Sequence, residues 1–453
     1  MNSRYETDRA LIVVSVVVVV VVASAIMTAS LEPIYAYERK YYEQELLTNV
    51  CGNTEIPFNI LCQNLASQLQ GDANSVNAIG TMNAPSNITP QQGDTIHIVW
   101  SDNSHSGTLN FDILYKNSHN GGTSFGPSEN LSNDPLNSAG PKVVASGNVI
   151  HAVWEEDLLG GEVLYRRSTD GGVTFGPTIN LSNDLGSKSV DIAISGNNVY
   201  VVWTDTHPTG SRLMYTRSTD GGLNFEIPVN LDIGGEPRPS TSIAAFDNNV
   251  YIVWREIIVN NDEIFYKRSI DGGASFGAPI NISNDPTDSI TPDIAVSGGN
   301  VYIVWDDDNP GSQEIFYRRS IDGGASFGGT VNISNSPEVG GFPSVAAVEN
   351  NVYIVWEDDD PVGGIAERDI LFRRSLDGGA NFESTVDISD NNQFSTRADV
   401  AAIGDRVYIV WRDFLGDPEI LLTRSMDEGV SFEGPVNVSN NAGGSGMPSI
   451  AVS

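Results

Sequence analysis

Cysteine is nearly absent, with two residues in 453. That excludes a disulfide framework and any cysteine-based zinc module. Basic residues are scarce as well: 24 Lys and Arg face 58 Asp and Glu, a formal charge of −34. Phosphate backbones are held by clustered Lys and Arg, so a nucleic-acid partner is excluded. Histidine is thin, with His97, His105, His119, His151 and His207 scattered through the early part of the chain. No Ser/His/Asp arrangement or phosphate-binding loop can be read. Apolar residues, by contrast, make up 40% of the chain, which supports a large core and excludes wholesale disorder. Length alone suggests two or three domains. The acidic surface suits a soluble, cation-attracting protein in a salty or extracellular setting.

One long apolar run exists, from Leu11 up to Ser30, uncharged and about as long as a bilayer-spanning helix. Arg4 and Arg9 precede it, which favours a cytoplasmic N-terminus. The segment 1–30 reads as a signal anchor, or as a cleaved signal peptide with Ala23-Ser24-Ala25 as the cleavage site. Either reading places the remainder outside the cytoplasm, at the cell surface or secreted. Residues 31–75 form a short stalk with a charged helical stretch, in which Cys51 and Cys62 could close a disulfide loop. Residues 76–92 lack any hydrophobic period and read as a linker.

From residue 93 onward the chain repeats. Tryptophan stands at 100, 154, 203, 254, 305, 356 and 411, at spacings of 54, 49, 51, 51, 51 and 55. Each ends a β-branched, aromatic strand such as NVYIVW (300–305), apolar on both faces. A second strand follows, for example EIFYRRS (314–320), and then a glycine turn. The turn reads STDGGVTF at 168–175 and SIDGGASF at 269–276 and 320–327. Its acid or amide is Asn120, Asp170, Asp220, Asp271, Asp322, Asp377 or Asp427. Glycine supplies positive φ there, and the Asp or Asn side chain accepts backbone N–H bonds within the turn. A third strand and a fourth (PDIAVS, 292–297) lead to the next Trp.

These turns resemble the Asp-box, or bacterial neuraminidase repeat, over residues 93–453. The resemblance implies an all-β fold of the sialidase superfamily: a propeller of four-stranded antiparallel blades with strands A (inner) to D. Seven Trp strands imply seven blades, with six or eight as the alternatives, whereas sialidases usually have six. The first Trp strand lacks a good strand A before it. MPSIAVS (447–453) matches strand A elsewhere and can close the ring, with Pro85–Ile88 as a rival. Alanine recurs ten residues before Trp, at Ala193, Ala244, Ala295, Ala346 and Ala401, which suits a crowded axis.

The resemblance places the Asp-boxes on one face and the B–C and D–A loops on the other, where a ligand would bind. The second residue after every Trp is acidic: Asp102, Glu156, Asp205, Glu256, Asp307, Asp358 and Asp413. This is expected to be a ligand-face acidic ring, binding Ca²⁺ or a cationic partner, or else a solvated rim. The denser runs Asp306, Asp307, Asp308 and Asp358, Asp359, Asp360 are the weak calcium candidates, although no loop has a complete calcium spacing. Strand C starts on an acid in six repeats (Asp112, Glu162, Glu263, Glu314, Asp369, Glu419). The basic residues just before the turns, among them Arg167, Arg217, Arg268, Arg319, Arg374 and Arg424, read as blade-to-blade links.

Arg212, Arg238, Arg255, Arg368, Arg397 and Arg412 do not repeat, and all fall in loops of the ligand face. A sialidase holds its substrate carboxylate with three arginines and needs a Tyr–Glu pair and an acid/base Asp. Arg238, Arg255, Arg397 and Arg412, with Glu256 or Asp413, are the imaginable members. They lie on blades three apart, the family's Arg-Ile-Pro motif is absent, and no off-consensus Tyr stands out. Glycosylation sequons occur at Asn87, Asn130, Asn180, Asn281, Asn332 and Asn437. The leading expectation is a membrane-anchored, monomeric, non-catalytic propeller that binds a glycan or protein through its loop face, with an exo-sialidase-like glycosidase as the alternative. No cofactor is expected beyond Ca²⁺. An acid two residues after each Trp favours a cationic or metal-bridged partner over an anionic sugar.

Overall fold

The computed structural model describes residues 94–453, apart from the loop segments 105–109, 157–160, 184–185, 208–209, 233, 259–260, 309–310, 337–338, 360–367, 392 and 415. The apolar run Leu11–Ser30, Cys51, Cys62, the linker 76–92, His105 and Asp360 lie outside the described residues.

Twenty-eight strands form seven four-stranded antiparallel sheets, the blades of a propeller. Blade 5 is representative: A is Ser289–Ser297, B is Asn300–Asp307, C is Glu314–Ser320 and D is Val331–Asn332. The blades are numbered here by their B strands, from Ile96–Asp102 in blade 1 to Arg406–Asp413 in blade 7. The A strands of neighbouring blades pack side by side around the axis. Strand A of blade 1 is the C-terminal strand Ser445–Val452, in register Ile96↔Val452 through Asp102↔Ser445. This pairing closes the ring and leaves no open inner edge.

The continuous apolar B strands follow from burial on both faces. Alternate residues point to opposite sides of a sheet. Val301, Ile303 and Trp305 therefore pack against Tyr251, Val253 and Tyr266 of blade 4. Tyr302 and Val304 pack against Ile354 and Trp356 of blade 6. All seven Trp are buried to 1% exposure or less. Each removes about 200 Å² from water, worth about 5 kcal/mol of transfer.

The same alternation directs the paired residues near the end of strand C. Arg167, Arg217, Arg268 and Arg319 each donate forward to a turn carbonyl of the next blade, on Gly221, Gly272, Gly323 and Gly378, at 2.6–2.7 Å. Arg374 reaches Glu428 O, and Arg424 closes the circle on Gly121 O. In blade 1 Asn117 takes the arginine's place, donating to Gly171 O at 2.9 Å. The preceding residue points backward, as in Arg166 to Leu131 O at 2.8 Å and Arg318 to Ile282 O at 2.7 Å. In the glycine turn of blade 2, Asp170 accepts the Thr174 hydroxyl at 2.6 Å, Thr174 N–H at 2.9 Å and the Ser168 hydroxyl at 2.7 Å. These bonds hold its carboxyl down at about 2. Gly172 has φ +82°, and a Cβ there would lie 1.8 Å from the Tyr115 hydroxyl. The turn can therefore seat against the preceding blade only with glycine.

Candidate functional site

The seven acids that follow Trp are not presented to solvent. All are buried, from 0% exposed for Asp102, Glu256 and Asp413 to 4% for Asp358. Two residues on from Trp, a strand side chain returns to the same face, directly over the indole. The indole N–H of Trp254 donates to Glu256 at 2.6 Å and that of Trp100 to Asp102 at 2.8 Å. The hydroxyl that opens strand A donates from the other side: Ser138 to Glu156 at 2.9 Å and Ser289 to Asp307 at 2.6 Å. The expected ligand-face ring is thus a set of internal braces between strands A and B. The acids opening strand C are similarly tied to strand D, as Ser389 donates to Asp369 at 3.0 Å.

The calcium runs are also corrected. Consecutive strand residues diverge, so neighbouring carboxylates cannot converge on one ion. Asp306 turns inward to the Thr291 hydroxyl at 2.5 Å, Asp307 to Trp305 at 3.1 Å, Asp358 to Trp356 at 3.4 Å and Asp359 to Arg368 at 2.8 Å. Asp308 faces Asp288 instead. Among the described residues, no group of three or more acids or histidines could hold a metal.

The loop-face mouth of the axis is built by two sets of residues. One is the residue just after Trp. The other sits at a β-bulge that interrupts strand A. Bulges re-aim a side chain, and here they place non-glycine residues at positive φ: Ser189 (55°), Thr291 (44°), Phe342 (49°), Arg397 (56°) and Met447 (50°). The two sets interlock across blades. Asp306 accepts Phe342 N–H at 3.4 Å, and Glu357 accepts Arg397 N–H at 2.9 Å. Burial raises both carboxyls, Asp306 to about 7.

On blades 6 and 7 this mouth carries an arginine–phenylalanine cluster. The Arg397 guanidinium lies 3.6 Å over the Phe342 ring, that of Arg412 4.4 Å over Phe414, and that of Arg368 5.4 Å over Phe394. Phe394 and Phe414 meet edge to face at 5.5 Å. Arg368 is neutralised by Glu357 at 2.7 Å and Asp359 at 2.8 Å. Burial and then the charge of Arg397 both depress Arg412. Its Nε is buried without a partner. Arg397 itself is exposed. Of the remaining arginines, Arg255 pairs with Asp262 at 2.5 Å on blade 4. Arg212 and Arg238 stand on blades 3 and 4, outside the cluster. Glu256 and Asp413 each bond their Trp through one oxygen and are buried beneath the mouth. The ten described tyrosines lie on strands B and C, stacked between blades toward the glycine turns, not at the mouth.

Below the bulges, the residues twelve before six of the Trp, Lys142, Asp191, Ser242, Asp293, Ser344 and Asp399, form a polar ring on the axis with Ser449, their equivalent on the closing strand. Each Asp accepts a backbone N–H of the next blade: Ile243 to Asp191 and Val345 to Asp293 at 2.8 Å, Ile450 to Asp399 at 3.0 Å. Ser242 bridges Asp191 and Asp293. Burial opposes the charge on Lys142, but the three carboxylates outweigh it and raise its pKa. Burial pushes Asp191 up to about 6.

No family model matches the chain, and no curated protein matches it. Among solved structures it is similar to a polysaccharide lyase of family PL25, an ulvan lyase, with TM-score 0.51 and 12% identity over 76% of this chain and 92% of that one. It is also similar to a Trypanosoma rangeli sialidase, with TM-score 0.43 and 12% identity over 64% of this chain and 55% of that one. The third is a GH93 α-L-arabinofuranosidase of Fusarium graminearum, with TM-score 0.44 and 14% identity over 58% and 83%. At these identities the likeness is one of fold alone, that of a β-propeller.

Proposed function

We propose that this chain is a non-catalytic glycan-binding propeller, and that its ligand is an anionic saccharide taken at the mouth between blades 6 and 7. The observation that carries the reading is the stacking of Arg397 on Phe342 and Arg412 on Phe414. A guanidinium held flat on a ring keeps its fork free for a carboxylate or sulfate, while half-buried rings offer faces for a sugar. Arg412 has a buried Nε without a partner and a neighbouring positive charge in Arg397, so within the cluster its own charge is the one left without a counter-ion. The acids that argued for a cationic ligand are spent on internal bonds. We read the glycine turns as Asp-boxes of the sialidase superfamily, and the N-terminal apolar run as the anchor that holds the propeller outside the cytoplasm. The alternative, a sialidase-like hydrolase, keeps the arginines but needs a tyrosine nucleophile, and the described tyrosines lie elsewhere.

The test is binding of the full chain to immobilised uronate-, sialate- and sulfate-bearing oligosaccharides against neutral ones. Retention of the anionic set should fall roughly tenfold or more in Arg397→Ala/Arg412→Ala, with the melting temperature unchanged. Equal retention of the anionic glycans by that variant and the wild type would sink the anionic reading. Turnover of a fluorogenic sialoside, lost in Arg412→Ala, would establish the hydrolase instead.

A further inference from the structure

Strand D is the outer edge of every blade and is only two residues long. Its second residue is Asn in six blades and Asp387 in blade 6. The fold uses the side-chain oxygen at this position. It accepts the N–H of the residue three further on, from Asn133 to Asn130 at 2.8 Å, Asn284 to Asn281 at 2.9 Å and Asn335 to Asn332 at 2.7 Å. Those donors sit at positive φ (47°, 47° and 45°), so the bond closes a tight turn. A backbone N–H requires an acceptor, which fixes the amide with its oxygen on the turn and its nitrogen away from it.

The nitrogen is not required by that turn. Asp387 has none, yet it accepts Asp390 N–H at 2.9 Å in the same way, even with Asp369 beside it across the Ser389 hydroxyl. In blade 3 the nitrogen has its own task, since the Asn230 amide donates to Asp232 at 2.6 Å. At Asn130, Asn180, Asn281, Asn332 and Asn437, no described residue accepts from the amide nitrogen, and the nitrogen reaches solvent. These five are also the strand D residues that form an Asn-x-Ser sequon, because Asn230 is followed by Asp232. The serine of the sequon belongs to the fold. Ser283 donates to Glu263 at 2.5 Å and accepts Ile264 N–H at 2.9 Å, and blade 6 keeps Ser389 without the Asn. The solvent-facing amide nitrogen has no such structural explanation.

We propose that Asn130, Asn180, Asn281, Asn332 and Asn437 each carry an N-linked saccharide. The proposal rests on the reading that the N-terminal run delivers the propeller outside the cytoplasm, where this modification is made. The co-substrate is an oligosaccharide held on a lipid phosphate, together with its membrane transferase. The amide nitrogen attacks the anomeric carbon of that sugar. A C1–N bond forms as the C1–O bond to phosphate breaks, the lipid phosphate leaves with the electron pair, and the amide gives up one proton. The product is still an amide with its oxygen in place, so the turn bond survives. Each saccharide projects from the outer edge of a blade, where unpaired strand groups invite another chain. The belt covers blades 7, 1 and 2 and blades 4 and 5, and is bare at blades 3 and 6.

The experiment is peptide mass spectrometry of the full chain isolated from its native cells, with fractionation of the same cells to locate it. The five sequon peptides should each gain the mass of a saccharide on Asn, and the peptide holding Asn230 should not. All five at their bare sequence mass, in chain recovered from the membrane or the medium, would overturn the proposal and leave the anchor reading standing. Recovery of the chain in the cytosol, unmodified, would overturn both. Asn281→Asp keeps the acceptor oxygen, as Asp387 does in blade 6, and removes the acceptor nitrogen. Produced in the same cells, that variant should fold and lose about one fifth of the added saccharide mass. An undiminished saccharide mass in Asn281→Asp would put the modification on other residues and overturn the assignment.

Discussion

Replacing Lys142 with methionine tests the polar ring on the axis. Methionine keeps most of the length and apolar volume and removes only the charge. Lys142 is the one cation among Asp191, Asp293 and Asp399. Even with it present, Asp191 sits at about 6 instead of 3.8, so keeping it ionised at neutral pH costs the fold about 3 kcal/mol. Removing the lysine withdraws the attraction that partly offsets burial. Leaving buried charges uncompensated costs about 3–5 kcal/mol, or roughly 5–10 °C in melting temperature. The sign with pH follows from the raised carboxyl. A folded pKa above the unfolded value means the folded state holds the extra proton, so stability is highest below about 3.8 and falls as pH rises through about 6. Lys142→Met raises the folded value further. Its deficit relative to wild type should therefore be small at acid pH and full above neutrality. Differential scanning fluorimetry of the two proteins across that range reads the difference directly. A deficit independent of pH, or none at all, would refute the counter-ion account.

Two further perturbations probe the links between blades. Gly324→Ala puts a Cβ 1.9 Å from the Tyr266 hydroxyl at φ +78°, and should cost about 3 kcal/mol or more. Adding Tyr266→Phe should recover part of that loss in a double-mutant cycle, whereas strict additivity would place the clash elsewhere. Arg406→Ala removes the ion pair with Asp94 beside the closing strands. The pair is partly exposed, so the global loss should be only about 0.5–1 kcal/mol. Amide exchange should accelerate in Ile96–Asp102 and Ser445–Val452, and acceleration spread evenly over all blades would contradict a local closure role.

The architecture was legible because each blade repeats one local solution. Seven Trp at near-constant spacing counted the blades, and the match of 447–453 to strand A indicated the closure. Bonding direction was not legible. Asp307 follows Trp305 closely enough to look like part of a loop, yet the strand continues and folds its carboxylate back over the indole. The arginine cluster was half visible: Arg368, Arg397 and Arg412 stood out as non-repeating, but Phe342, Phe394 and Phe414 did not. These residues meet only where bulges on two blades converge. The axial ring left a signal at a fixed offset of twelve residues before Trp, two away from the alanines that drew attention.

The pairing of Ile96–Asp102 with Ser445–Val452 also sets a timetable for synthesis. The two strands are separated by about 350 residues, and translation at about 5–20 residues per second takes roughly 20–70 seconds to span them. Through that interval strand Ile96–Asp102 has no inner neighbour, and its apolar edge is open to any passing chain. Every other blade can assemble as it emerges. Blade 1 must wait, and its yield of native protein depends on what shields that edge in the meantime.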